Sequence, residues 1–178
     1  MIKEIMIGLG LLVLVGCTRQ NIHEVNIMES ISITSSAFAR QGNIPEKYTC
    51  KGDNVNPPIH VENIPINAKS VVLIMDDPDA PGETWDHWIM WDIPATTKDI
   101  QENSVPRGAI QGTNSWGNTK YQGPCPPSGT HRYVFKVYAL DTTVELRTNS
   151  KKNAVEQAMR GHIIARGELI GMFSKKEE

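Results

Sequence analysis

The chain has 178 residues and a formal net charge of −2, with 21% charged and 39% hydrophobic residues. These values fit one globular domain that can bury a core without a metal or dense disulfides, and the near-neutral balance carries no basic footprint for nucleic acid. Eleven prolines and fourteen glycines, with no internal repeat, point to a turn-rich and largely β domain.

Residues 1–16 stand apart from that domain. MIKEIMIGLGLLVLVGC has a short charged start at Lys3 and Glu4, then an uncharged apolar run from Ile5 to Gly16. The run is shorter than the roughly 20 residues a membrane-spanning helix needs and suits the apolar part of an export signal. Its end, Leu14-Val15-Gly16-Cys17, resembles the lipobox of bacterial lipoprotein signal peptides. The resemblance implies cleavage before Cys17 and a lipid on that cysteine; an uncleaved anchor or plain export signal is the alternative. Residues 17–29 are then a lipidated terminus and polar tether. The expected location is outside the cytoplasm, on the cell envelope. Cys50 and Cys125 remain as an even pair in an oxidising compartment, which favours a disulfide. It would close a long loop, worth roughly 4–5 kcal/mol in the chain-entropy model. Two free buried thiols are the rival expectation, and no CxxC spacing supports a metal pair.

The folded unit is expected over residues 30–174, with a polar tail at 175–178. SISITSSAF (30–38) alternates through Ile31 and Ile33 and predicts a strand, and GNIPEKYTCKGDNVNPP (42–58) a long loop. IHVENIP predicts a short strand stopping at Pro65. KSVVLIMDD (69–77) is a continuous apolar run of strand length, as in a central strand buried on both faces. DHWIMWDIP (86–94) predicts another strand. Residues 95–130 carry five glycines and four prolines and little regular pattern, and long irregular loops of this kind are usually functional. HRYVFKVYALD (131–141) puts His131, Tyr133, Phe135, Val137 and Ala139 on one face. NSKKNAVEQAMRGH (149–162) predicts the one helix, capped by Asn149 or Ser150, ended by Gly161, with Val155, Met159 and His162 on one side. IIARGELIGMF (163–173) closes as a strand.

The polar residues worth following sit at strand ends. Asp76, Asp77 and Asp79 follow the central run, His87 enters the next strand, and Tyr133 lies about 6.6 Å along the backbone from His131 on the same face. If these strands are neighbours, two imidazoles, a phenol and a carboxylate meet at one rim. Imidazole N–H groups, a tyrosine hydroxyl and loop amides are donors and suit an oxyanion. A nearby aspartate would orient the histidines and favour their charged form. Asp79 and Pro81 would fix the loop, while Trp85, Pro126 and Pro127 would be rigid apolar walls. A histidine between tryptophans also suits an ordinary core position, and Trp85, Trp88 and Trp91 fit the core better than a cage. No G-x-S-x-G, H-E-x-x-H or P-loop pattern occurs, and neither a cofactor nor a catalytic residue is expected.

DPDAP (77–81), W-x-H (85–87), GPCPPSGTHRYVFKVYAL (123–140), YTCKGDNVNPP (48–58) and GHIIARGELIGMF (161–173) together resemble the phosphatidylethanolamine-binding protein family, in its bacterial and archaeal branch of Raf kinase inhibitor-like proteins. The resemblance covers roughly residues 30–174. It implies a mainly β sandwich of two sheets with one late α-helix, long pocket-forming loops and an anion pocket at one end. Residue by residue, it places Asp77, His87, Pro126, Pro127, His131 and Tyr133 at that pocket. It also supports a Cys50–Cys125 disulfide beside it. Mammalian members continue into a C-terminal helix that covers the pocket; GMFSKKEE follows the last strand here, so a more open pocket is expected. The leading functional expectation is a lipid-anchored binding protein, not an enzyme, that recognises a phosphorylated or anionic small group. Inhibition of a protease or other enzyme through the pocket and the 95–130 loop is the alternative, with a protein partner. A hydrolase or metalloenzyme using the same His/Asp set is the second.

Overall fold

The computed structural model describes residues 29–175. The expected export signal and tether, with Cys17, and residues 176–178 lie outside them. Eleven elements follow in order: β1 (Glu29–Ser30), β2 (Ser32–Thr34), a 3-10 turn (Glu46–Tyr48), β3 (Ile59–Glu62), β4 (Ser70–Asp77), β5 (Trp85–Pro94), β6 (Asp99–Ile100), β7 (Ile110–Gln111), β8 (Thr130–Leu140), α1 (Lys152–Met159) and β9 (Ile163–Ser174). They build a six-stranded sheet, β1-β9-β8-β4-β5-β7, and a three-stranded sheet, β2-β3-β6. The pairings are antiparallel except β1 with β9, which is parallel.

β4 explains the architecture. Its apolar run can be continuous because both faces of the large sheet are covered. Val71, Leu73 and Met75 enter the core between the sheets, with Ile33, Ile59, Ile100, Phe135 and Val137. Val72 and Ile74 face the other way and pack with Ile89, Trp91, Leu140 and Val144 under Val155 and Met159 of α1. β8 obeys its predicted period, with Tyr133, Phe135, Val137 and Ala139 all in the inter-sheet core.

Three expectations need correction. Residues 30–38 are not one strand: the Ile31 amide still donates to Arg166 on β9, then Ser32–Thr34 pairs with β3, so the chain crosses from one sheet to the other. The helix is shorter than 149–162, because Asn149 has a positive φ of 77° and Ser150 Oγ donates to the Arg147 carbonyl instead of capping. Gly161, at φ 80°, does follow its end, so His162 falls beyond the helix and pairs with Asp141 at 2.8 Å. The third strand ends at Glu62, short of Pro65.

Candidate functional site

Alternation along β4 sends Asp76 and Asp77 to opposite faces. Asp77, the last residue of β4, is buried at the end of the inter-sheet core. Its Oδ1 accepts the Asp79 amide at 2.9 Å, and its Oδ2 lies 2.7 Å from Nδ1 of His131. The carboxylate only accepts, so Nδ1 of His131 carries the proton and Nε2 is left over. Tyr133, two residues on, is fully buried. Its hydroxyl lies beside the Asp77 carboxylate and the Cys125 backbone amide, without a hydrogen bond of good geometry. Burial, reinforced by the Asp77 charge, raises the pKa of this phenol and keeps it a donor.

His87 reaches the same place through a β-bulge. Met75 pairs with Trp88 but Asp76 pairs with Asp86, so β5 holds one extra residue, His87, at this point. A bulge re-aims a side chain. Here the consecutive His87 and Trp88 both serve the inter-sheet side: His87 meets the Tyr133 ring edge-on at 5.1 Å, and Trp88 lies in the core. Nδ1 of His87 donates to the Gln122 carbonyl at 2.6 Å. A carbonyl cannot donate, so this tautomer is fixed as well. Burial pushes the His87 pKa down to about 4, against the opposing pull of the Gln122 carbonyl and the Asp77 and Asp76 charges. The sequence-based expectation of a histidine held charged by aspartate therefore fails for His87: desolvation outweighs attraction. His87 and His131 are only 2% and 8% exposed, and each ring is held through Nδ1; the Gly123 carbonyl also lies beside His87.

The rim is a pair of zipped loops. Cys50 and Cys125 form a disulfide with Cα atoms 5.5 Å apart. Around it the Cys50 amide donates to Pro124 O, the Gly123 amide to Asn54 Oδ1, and the Tyr121 hydroxyl to Tyr48 O. A Cβ on Gly123 would lie 2.1 Å from Tyr48 O, so only glycine permits this approach. Pro126 is buried in the rim and Pro127 exposed, its carbonyl accepting from Lys175 Nζ.

Other sequence-predicted residues go elsewhere. Asp79 turns out to Arg132, which donates from its backbone amide, Nε and Nη2, holding the Asp79 carboxyl down at about 2. It fastens the 78–84 loop to β8 and does not face the imidazoles. Pro81 is exposed in that loop. Asp76 leaves the rim for the outer face, where Lys136 (2.7 Å) and Lys152 (3.4 Å) pair with it and Lys152 also holds Asp86. Trp85 is half-buried and touches not His87 but Trp116, edge-on at 5.4 Å. Sequence reasoning missed Trp116, whose ring meets His87 at 4.9 Å and is 40% exposed. Asn114 organises its loop, accepting the Trp116 and Asn118 amides and donating to Lys120 O. The only available signal was a tryptophan in a long Gly-rich loop. Trp116 lies against His87, and both imidazoles are buried. A concavity of about 410 Å³ is lined by Trp116, Asn114 and Asp86, and a groove of about 560 Å³ lies apart from the histidines, beside Arg40, Lys136 and Arg166. Among the described residues, no three His, Cys, Asp or Glu side chains are placed to hold a metal ion.

These residues form a small, rigid cluster of polar groups at one end of the sandwich, with an aromatic cover. The chain as a whole is similar to known proteins. A sequence model of the phosphatidylethanolamine-binding protein family matches residues 34–174. A UPF0098 protein of Methanothermobacter thermautotrophicus is 43% identical over 150 residues, covering 82% of this chain and 99% of its own. One from Pyrococcus abyssi is 48% identical over 157 residues, covering 83% and 88%. Among solved structures, a putative phosphatidylethanolamine-binding protein homolog from Chlamydia trachomatis superposes with a TM-score of 0.80 at 38% identity, over 83% of this chain and 99% of that one. E. coli YbcL, described as a new member of the mammalian PEBP family, gives 0.77 at 30% identity, over 82% and 99%.

Proposed function

The chain belongs to the phosphatidylethanolamine-binding protein family, and from that premise we propose that it is a binding protein, not an enzyme, which takes a phosphate-type oxyanion between His131, His87 and Tyr133. One observation carries this: two imidazoles, each held through Nδ1, lie at one end of the sandwich with a buried phenol whose hydroxyl makes no hydrogen bond of good geometry. Buried polar groups are almost always satisfied, and an anion would satisfy the Tyr133 hydroxyl. Asp77 then fixes the orientation of the His131 ring through Nδ1. Asp79 and Arg132 hold the adjoining loop, and the Cys50–Cys125 bond holds the rim.

Titration calorimetry with inorganic phosphate tests the assignment. The native protein should bind it, and His131→Ala, confirmed folded by circular dichroism, should lose about tenfold or more of the affinity. Unchanged affinity in the variant would sink the assignment. The same proposal places the protein on the cell envelope through a lipid on Cys17. Labelled palmitate should enter the native chain in its host and fail to enter Cys17→Ser; equal labelling of both would refute the anchor.

A further inference from the structure

The end of the sandwich opposite the histidines holds an apolar residue out into water. β4 starts there at Ser70, level with Pro94 of β5 and Leu140 of β8, and Leu140 is level with Ile163, where β9 begins. Asp77 lies at the other end of β4, about 23 Å away at 3.3 Å per residue. Ile66 is fully exposed at the Ser70 end. One exposed aliphatic residue is ordinary, but a rigid turn fixes this one. Pro65 is buried, the Ala68 amide donates to the Pro65 carbonyl at 3.0 Å, and Ile64 and Ala68 pack against the inter-sheet core. Ile66 and Asn67 are therefore the central pair of a tight turn, where polar residues are usual. A second turn lies alongside: the Thr97 amide donates to the Pro94 carbonyl and the Val61 amide to the Lys98 carbonyl. Exposed Lys69 and Lys98 close the two turns. The carboxylates near them are engaged, Glu62 and Asp99 with His60 and Asp141 with His162. The chain also enters at this end. Glu29 of β1 is level with Ala165, near the start of β9, and β1 lies three strands from β4, about 14 Å across the sheet.

Cys17 is twelve residues upstream of Glu29, a reach of about 40 Å at full extension. Bringing the histidine end to a membrane would use about 23 Å of that length in running back along the domain. Bringing the Ile66 end needs no such return. We propose that the turns at 63–69 and 94–98 are the surface that docks on the anchoring membrane. Ile66 enters the headgroup boundary, Lys69 and Lys98 meet anionic headgroups, and the histidine end points away from the bilayer. This rests on the lipid anchor at Cys17 proposed above. Burial of Ile66 should favour the docked domain about tenfold or more, and each lysine about fivefold over an anionic surface. The histidine cluster then meets solutes of the surrounding compartment and not the headgroups of its own membrane.

The full lipidated chain, reconstituted in vesicles of phosphatidylcholine and phosphatidylglycerol, provides the test. With Cys17 acylated and Cys50 bonded to Cys125, Ile66→Cys supplies one thiol for an environment-sensitive fluorophore. Ser128→Cys, exposed at the histidine end, carries the same fluorophore as a control for the dye's own affinity for lipid. At position 66 the emission should shift to the blue and be quenched by brominated lipid. At position 128 it should stay open to aqueous iodide. Lys69→Glu with Lys98→Glu should lower the docked-to-undocked ratio about 25-fold or more, and vesicles of phosphatidylcholine alone should weaken the lipid quenching at 66. A chain that floats with the vesicles while position 66 stays aqueous, or while position 128 inserts, overturns the docking face and leaves the anchor standing. A chain that does not float overturns both. A blue shift at 66 without lipid quenching puts a second copy of the chain on Ile66 and overturns the bilayer assignment.

Discussion

Acidification should destabilise the protein through His87. The unfolded histidine titrates at 6.5 and the folded one at about 4, lowered chiefly by burial. Between these values the unfolded chain binds more protons, so stability rises with pH across this window and is lost as pH falls through it. Each unit is worth about 1.4 kcal/mol, so from pH 7 to pH 4.5 the loss due to this one ring is about 2.5 kcal/mol. The Asp79 carboxyl, held at about 2 by Arg132, contributes in the opposite part of the scale: its stabilisation is present above 3.8 and fades as pH falls through 2. Urea unfolding at pH 7 and pH 4.5, in buffer free of phosphate, measures the difference. His87→Phe should lack about 2.5 kcal/mol of the loss seen in the native protein. Equal losses in the two would refute the claim that His87 is buried neutral.

Other consequences follow from the same contacts. Trp116→Ala should admit water to the His87 ring and raise its pKa from about 4 by about one unit or more, read from the imidazole resonances; an unmoved value would show that Trp116 is not the cover. Lys152→Met strips Asp86 of its cation and Asp76 of one of two, and should cost about 3 kcal/mol in denaturant unfolding, since it leaves partly buried charge uncompensated. A cost below about 0.5 kcal/mol would mean water already screens that cluster. Replacing Cys50 and Cys125 by serine should cost up to roughly 4–5 kcal/mol by the chain-entropy model and weaken phosphate binding by loosening the 123–127 rim. Full retention of both stability and affinity would contradict its role as a clamp.

What could be read in the sequence was whatever depended on a period. The apolar run of β4 and the alternation of His131, Tyr133 and Phe135 on β8 translate directly into faces, and those faces placed His131 and Tyr133 beside Asp77. Period two also separates Asp76 from Asp77 in principle, although both look alike as acids after a strand. The limits are equally physical. His87 owes its direction to one inserted residue opposite the β4 end, and a bulge leaves no mark in a pattern of aromatic residues. Its partner is the backbone carbonyl of Gln122, which has no side-chain signature at all. Trp116 reaches His87 from a loop ordered by Asn114, through contacts with no fixed spacing. The charge state of His87 follows from burial under those loop residues, so an expectation built on nearby aspartates alone had the wrong sign. The family resemblance located the cluster; the hydrogen bonds distinguish its two histidines.

Nitrogen-detected NMR of the imidazoles during a titration with inorganic phosphate tests the central claim most directly. His60, half-buried, and His162, exposed, are built-in controls, each paired through Nδ1, with Asp99 at 2.7 Å and with Asp141 at 2.8 Å. The Nε2 resonances of His87 and His131 should move together along one saturable curve while those of His60 and His162 stay in place. If phosphate moves the surface histidines alone, or moves all four alike, the pair behind Trp116 is not an oxyanion site.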